Sequence, residues 1–150
     1  FCGTALTATQ WVKQGPRYTA EGYDLDPVPL DWGRRHHIAE LGRGAERLTL
    51  VQADVRQPSR VRPEMRCAQN FSYSVFHSRA ELMEYFHAVH ADLSDDGIFM
   101  LDLWGGLGAT DPVRERRRIA RGVTYVWHQE SYRPVTGAIR CHIHFYFDDG

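Results

Sequence analysis

YTAEGYDLDPVPL at residues 18–30 and LTLVQAD at residues 48–54 are the two segments on which the fold turns. The first begins as a short extended run, 18–24, closing on Asp24. Asp26 followed by Pro27 is then a helix N-cap with proline in the first turn, where its missing N–H costs nothing. The helix so opened carries Leu30, Ile38 and Leu41 inward and stops near Gly42 and Gly44. The second segment is rich in branched apolar residues and reads as a strand. Strand, helix, strand in that order implies a crossover, hence parallel pairing with helices on the sheet faces.

Upstream, Gly3 makes a turn, and Ala5, Leu6, Ala8, Trp11 and Val12 form a short helical face that Gly15 and Pro16 end. Downstream, residues 66–73 (RCAQNFSY) read as a weaker strand running into a polar loop. Ser78 with Glu81 is a capping box, and Leu82, Phe86, Val89 and Leu93 follow at helical spacing. Asp96 and Gly97 end that helix, and residues 98–104 (IFMLDLW) read as a buried strand loosened afterwards by Gly105, Gly106 and Gly108. The charged stretch 111–121 is expected to be helix or loop, with Arg114, Arg116, Arg117 and Arg118 on a solvated helix face. Residues 123–132 and 139–147 alternate with period two around a turn at 134–137, an antiparallel hairpin. The fold class is therefore α/β: one open, mostly parallel sheet with a C-terminal antiparallel β-hairpin.

The chain has 150 residues, with 43% hydrophobic and 25% charged, ordinary globular values for about one domain. Eighteen basic and nineteen acidic residues leave a net charge of -1, so composition gives no case for nucleic acid or an anionic membrane. No apolar run approaches the roughly 18 residues that span a bilayer. Cys2, Cys67 and Cys141 are far apart and odd in number, suggesting neither a disulfide framework nor a zinc site. A reduced, cytoplasmic setting is the expectation. Phe1 to Thr4 reads as a turn without the strand that should feed it, and residues 148–150 read as a turn with nothing after it. The expectation is a fragment cut at both ends.

In open α/β sheets ligands sit beyond the carboxyl ends of the strands. Gly3 lets backbone approach a ligand there. Asp24 stands 21 positions later, the distance at which an acidic residue accepts hydrogen bonds from a nucleoside ribose. Asp54 ends the next strand, where a carboxylate can accept from an adenine amino group. Three successive strand ends thus offer polar groups on one rim, a pattern that describes a nucleoside-type ligand.

The segment 1–104 resembles a class I S-adenosylmethionine-dependent methyltransferase. FCGTALTA stands at the glycine-rich first motif, GYDLDPVPL at the acidic second-strand motif and LTLVQADV at the third-strand motif. NFSYS and SDDGIFMLDLWGG resemble the stretches around the fourth and fifth strands. The resemblance implies a Rossmann-like sheet lacking its first strand, S-adenosylmethionine as cofactor, and methyl transfer to an acceptor, a small molecule being favoured. It implies that Phe1, Cys2, Gly3 and Thr4 lie along the methionine part of the cofactor. Asp24 would bind the ribose hydroxyls, Leu25 pack on the adenine, and Asp54 with Val55 hold the adenine amino group. Asn70 and Phe71 would line the pocket near the transferring methyl. Residues 1–110 would form the cofactor-binding part of a single partial domain, and 122–148 an insertion or part of the acceptor site.

Phe1 and Ala5 stand where the family has glycines, and residues 69–72 are not the Asn/Asp-Pro-Pro-Tyr motif of amino-group methyltransferases. Tyr73, His77, His128 and Glu130 are candidate general bases, with no catalytic residue assigned. His142 and His144 share a strand face without a third ligand, so no metal is expected. His36 and His37 read as a solvated helix face. Two other readings keep the rim: an NAD(P)-dependent oxidoreductase, which the single glycine at FCGTA disfavours, and a non-catalytic nucleoside-binding module.

Overall fold

The computed structural model describes residues 1–148. Helix α1 is Leu6–Val12, strand β1 Ala20–Asp24 and helix α2 Pro27–Gly33, which continues as π and 3-10 turns through Arg34–Ile38 and Ala39–Arg47. Strands β2 (Leu48–Gln52) and β3 (Met65–Ala68), helix α3 (Arg79–Asp92) and strand β4 (Ile98–Leu101) follow. Three longer strands end the chain: β5 (Val113–Ala120), β6 (Val123–Arg133) and β7 (Ala138–Phe147). The chain divides into two compact units, the first being Phe1–Leu103 and the second beginning at Trp104.

In the first unit β1 pairs with β2 in parallel and β3 with β4 in parallel. The expectation of a single sheet is corrected here: the two parallel pairs are separate two-stranded sheets. Local signals placed the helices well. Asp26 caps α2, its carboxylate accepting from the Val28 N–H at 2.9 Å with Pro27 in the first turn. Ser78 and Glu81 form the reciprocal capping box of α3. Arg47 closes the far end of α1, one guanidinium nitrogen donating to the carbonyls of Val12, Gly15 and Tyr18.

The main core of the first unit lies between α3 and the β3–β4 pair. Val55, Ala68, Tyr73, Tyr85, Val89 and Leu93 form its buried centre. Within it Asp92, 4% exposed, accepts from Arg66 at 2.9 Å and from the Ser59 N–H and hydroxyl. Charge and hydrogen bonds together satisfy a carboxylate that burial would otherwise penalise.

Three expectations are corrected. The run 66–73 is strand only to Ala68. The run 98–104 is strand only to Leu101, and it is not buried on both faces: Phe99 and Leu101 pack on the core while Ile98 and Met100 are exposed. Among the described residues α3 covers one face of that pair alone, so period-two burial replaces the continuous burial read from the apolar run.

In the second unit the hairpin is present, but the charged stretch 111–121 is neither helix nor loop. It supplies β5, and the order β5-β6-β7 is a three-stranded antiparallel sheet. Pairing satisfies the backbone while its arginine side chains remain exposed. The extra residue at Glu130 is a bulge in β6 opposite β7. The turn read at 148–150 falls partly on residues 149 and 150, outside those described.

Candidate functional site

Backbone geometry assembles the rim of the first unit. Gly3 sits at φ 52, a left-handed conformation that glycine adopts without cost, and nothing lies within 4 Å of where a side chain would stand. Its N–H donates to the Asp24 carboxylate at 2.7 Å. Asp24 also accepts from the Asp26 N–H at 3.1 Å, and its carbonyl accepts from Ala53 at 3.0 Å. Hydrogen bonds therefore run from the Gly3 turn to the end of β1 and on to the residue before Asp54. Leu25 beside them is 68% exposed.

The remaining residues of the turn have structural partners. Cys2 donates its N–H to the Tyr23 carbonyl at 2.9 Å. Burial pushes its thiol up to about 11, so at neutral pH it is a protonated thiol and a poor nucleophile. The Phe1 ring meets Tyr85 and Phe76 edge-on, with centroids 5.9 and 6.1 Å away. Thr4 lends its carbonyl to His37 Nδ1 at 2.8 Å. The helix α2 approaches Thr4 closely because residue 33 is glycine: a Cβ there would lie 2.4 Å from the Thr4 carbonyl oxygen. His37 is thus half-buried against the turn and is not part of a solvated face, while His36 stacks on Trp32 at 4.3 Å. Thr4, Leu6, Val28, Pro29, Trp32 and His37 line a hollow of about 490 Å³.

Asp54 is held by a neighbour that the sequence reading missed. Arg56 donates through Nε at 3.0 Å, through a terminal nitrogen at 2.7 Å and through its backbone N–H at 2.8 Å. That grip holds the Asp54 carboxyl below the usual carboxylate range. Val55 turns its side chain into the core.

Asn70 and Phe71 follow β3 with φ of 56 and 43, two consecutive left-handed residues without glycine. Their backbone N–H groups converge on Asp102, just past β4, at 2.9 and 2.6 Å. Two adjacent N–H groups so directed form an anion-binding nest, and Asp102 fills it. Tyr73 donates its hydroxyl to the Asp102 carbonyl at 2.9 Å. Burial raises the Tyr73 pKa and Asp102 adds to it, so the phenol keeps its proton. Thr7 reaches Gln69 at 3.2 Å, joining the start of α1 to the end of β3. The Phe71 ring packs against the core.

Asp102 was legible only as the acidic residue interrupting an apolar run, and Arg56 only as a basic residue two positions after Asp54. Of the base candidates, Tyr73 is a committed donor in the first unit. Glu130, in the second, bonds His142 at 3.0 Å, which holds its carboxyl low. His142 and His144 lie side by side as expected from their spacing, with ring centroids 6.0 Å apart. Among the described residues no group of three His, Cys, Asp or Glu could hold a metal ion, and no helix is long and apolar enough to cross a membrane.

No protein-family model matches this sequence, and no curated protein matches it. Solved structures do. The CcbJ methyltransferase from Streptomyces caelestis matches over 97% of this chain with a TM-score of 0.72 at 15% identity. An amino pentose methyltransferase from Micromonospora echinaspora, solved with S-adenosylmethionine bound, matches over 97% with a TM-score of 0.66 at 16% identity. A glycopeptide N-methyltransferase solved with S-adenosyl-L-homocysteine matches over 98% with a TM-score of 0.63 at 15% identity. The chain spans 63%, 65% and 63% of those three chains, less than two thirds of their length. At these identities the likeness establishes the fold alone, the Rossmann-like α/β fold of those solved structures.

Proposed function

We propose that this chain is the cofactor-binding part of an S-adenosylmethionine-dependent methyltransferase acting on a small-molecule acceptor. The observation that carries the reading is the Gly3 N–H held by the Asp24 carboxylate, on a fold shared with methyltransferases. The residues present fit the cofactor. Open space lies over Gly3, an exposed Leu25 offers apolar surface beside Asp24, and each Asp24 oxygen keeps a lone pair beyond its present bond. In this reading Phe1, Cys2, Gly3 and Thr4 face the methionine part through their backbone. Asp24 takes the ribose hydroxyls, Leu25 covers the adenine, and Asp54 with Val55 marks the adenine edge. Asn70 and Phe71 border the methyl end.

Bound S-adenosylmethionine supplies a methyl group already activated on a sulfonium sulfur. What remains for the protein is to align the acceptor and exclude water. The Asp102-filled nest holds the loop after β3 in one conformation, which keeps that border rigid. Tyr73, donating and protonated, orients rather than abstracts a proton. An acceptor arriving with a free lone pair needs no base. Residues 1–110 serve the cofactor and 122–148 the acceptor, in a cytoplasmic enzyme. That the solved likenesses include amino pentose and glycopeptide methyltransferases supports a small acceptor.

Thermal melts with S-adenosylhomocysteine, with NAD and with neither test this, on the chain and on Asp24→Asn. A ligand at about 100 times its Kd adds about 2.7 kcal/mol to the folded state. S-adenosylhomocysteine is expected to raise the midpoint, and Asp24→Asn to lose most of the rise. A rise with NAD alone transfers the site to a nicotinamide cofactor. A cooperative melt indifferent to both ligands overturns the reading.

A further inference from the structure

The register of the second unit sorts the charged run 114–118 by face. Arg114 pairs with His128, Arg116 with Val126 and Arg118 with Thr124. Those β6 residues pair with His142, His144 and Tyr146 of β7. Alternation therefore places Arg114, Arg116 and Arg118 on the same sheet face as His128, His142, His144 and Tyr146, and turns Glu115 and Arg117 to the opposite face. Arg114 donates to the Tyr146 hydroxyl at 2.9 Å, and the Arg116 guanidinium lies 5.6 Å from the centre of the same ring. Two guanidiniums thus converge on one neutral side chain. The carboxylates on this face serve other cations: Asp148 stands 3.8 Å from Arg118, and Glu130 stands 3.0 Å from His142 and 3.8 Å from Arg140. Beneath the arginines three imidazoles form a triangle with centroids 5.7 to 6.0 Å apart. His144 Nε2 is shut from solvent with no hydrogen-bond partner among the described residues.

We infer that this face is a binding site for the phosphate group of a small soluble molecule, held by Arg114 and Arg116. Guanidinium forks match tetrahedral oxyanions, and two of them without a carboxylate partner among the described residues leave a positive potential that an oxyanion cancels. The site has the size of one or two phosphates. Arg114 and Arg116 are about 7 Å apart along their strand, and beyond them the cations are already paired. That span is too short to follow a nucleic-acid backbone. The one large exposed aromatic on this face, Tyr146, has its hydroxyl bonded to Arg114 and its ring under Arg116, and Val126 is fully buried, so the face offers no aliphatic group to a lipid surface. The groups facing the site are Arg114, Arg116 and Arg118 from β5, His128 and Glu130 from β6, and Arg140, His142, His144 and Tyr146 from β7, with Asp148 beyond.

Calorimetric titration of the whole chain with inorganic pyrophosphate tests the site. Arg114→Gln/Arg116→Gln is expected to weaken binding about tenfold or more, whereas Arg117→Gln, on the other face, leaves it within about twofold. Arg114→Lys/Arg116→Lys keeps the charge and removes the forks, and is expected to fall between the two. Far-UV circular dichroism establishes that each variant is folded. Absence of saturable heat in the folded chain overturns the proposal. Equal losses in Arg117→Gln and the double variant reduce it to bulk charge and overturn it too. Tighter binding of a single-stranded oligonucleotide than of pyrophosphate replaces the small ligand with nucleic acid. The assay needs neither S-adenosylmethionine nor methyl transfer, so its result is independent of the cofactor reading above.

Discussion

Asp24 ends β1 and Asp54 lies two residues past the adjacent parallel strand β2, yet their surroundings set them apart. Asp24 takes two backbone N–H groups, while Asp54 takes a backbone N–H and two guanidinium nitrogens of Arg56. The guanidinium is the main reason that Asp54 titrates low. A carboxyl whose folded pKa lies below its unfolded value of about 3.9 stabilises the protein above that value, and the contribution is lost as pH falls through the folded pKa. Asp54→Asn is therefore expected to lower the urea midpoint at neutral pH, with the gap from the parent closing as pH drops below about 4. A gap independent of pH would assign the loss to packing instead. Its place at the end of the apolar run 48–54 sufficed to nominate Asp54. Its partner escaped notice because a basic residue two positions after a strand-end aspartate also suits a solvated turn.

The loop after β3 shows how an element can be built against local preference. Asn70 tolerates a left-handed conformation, but an aromatic residue directly after it in the same region is uncommon. The pair persists because Asp102 accepts both N–H groups. Asp102→Ala is expected to cost about 1–3 kcal/mol, since the two donors lose a charged acceptor. Adding Asn70→Gly should return part of that loss, as glycine carries no left-handed penalty. Urea midpoints of the two single variants and the double variant check this, and an Asn70→Gly that recovers nothing in the Asp102→Ala background would sink the strain account. The helices were legible because their caps lie within three or four residues in sequence. The strand β5 was not, since in 114–118 every residue is charged and hydrophobic alternation, the usual strand signal, has nothing to alternate.

Across the first unit, one buried ion pair joins parts that are far apart in sequence. Asp92 of α3 ties to Arg66 of β3 and Ser59 of the intervening loop, and Arg66 continues to the Val55 carbonyl at 2.7 Å. Arg66→Met leaves the Asp92 charge buried without its cation and is expected to cost about 3–5 kcal/mol, a large share of a typical domain's stability. Arg66→Met/Asp92→Leu, removing both charges, should recover much of it. Denaturant unfolding of both variants decides the matter, and a double variant weaker than Arg66→Met would reverse the conclusion.

Sequence by itself determined the α/β order, the caps of α2 and α3, the hairpin and the positions of Gly3, Asp24 and Asp54, because periodicity, capping and strand-end polarity are short-range properties. Tertiary structure alone decided that the parallel strands stand as two separate pairs, that Asp102 holds the loop after β3, that His37 meets the glycine turn, and that alternate arginines of β5 share a face with three histidines. These depend on contacts 20 or more residues apart, or on strand register, and neither leaves a local trace in the chain.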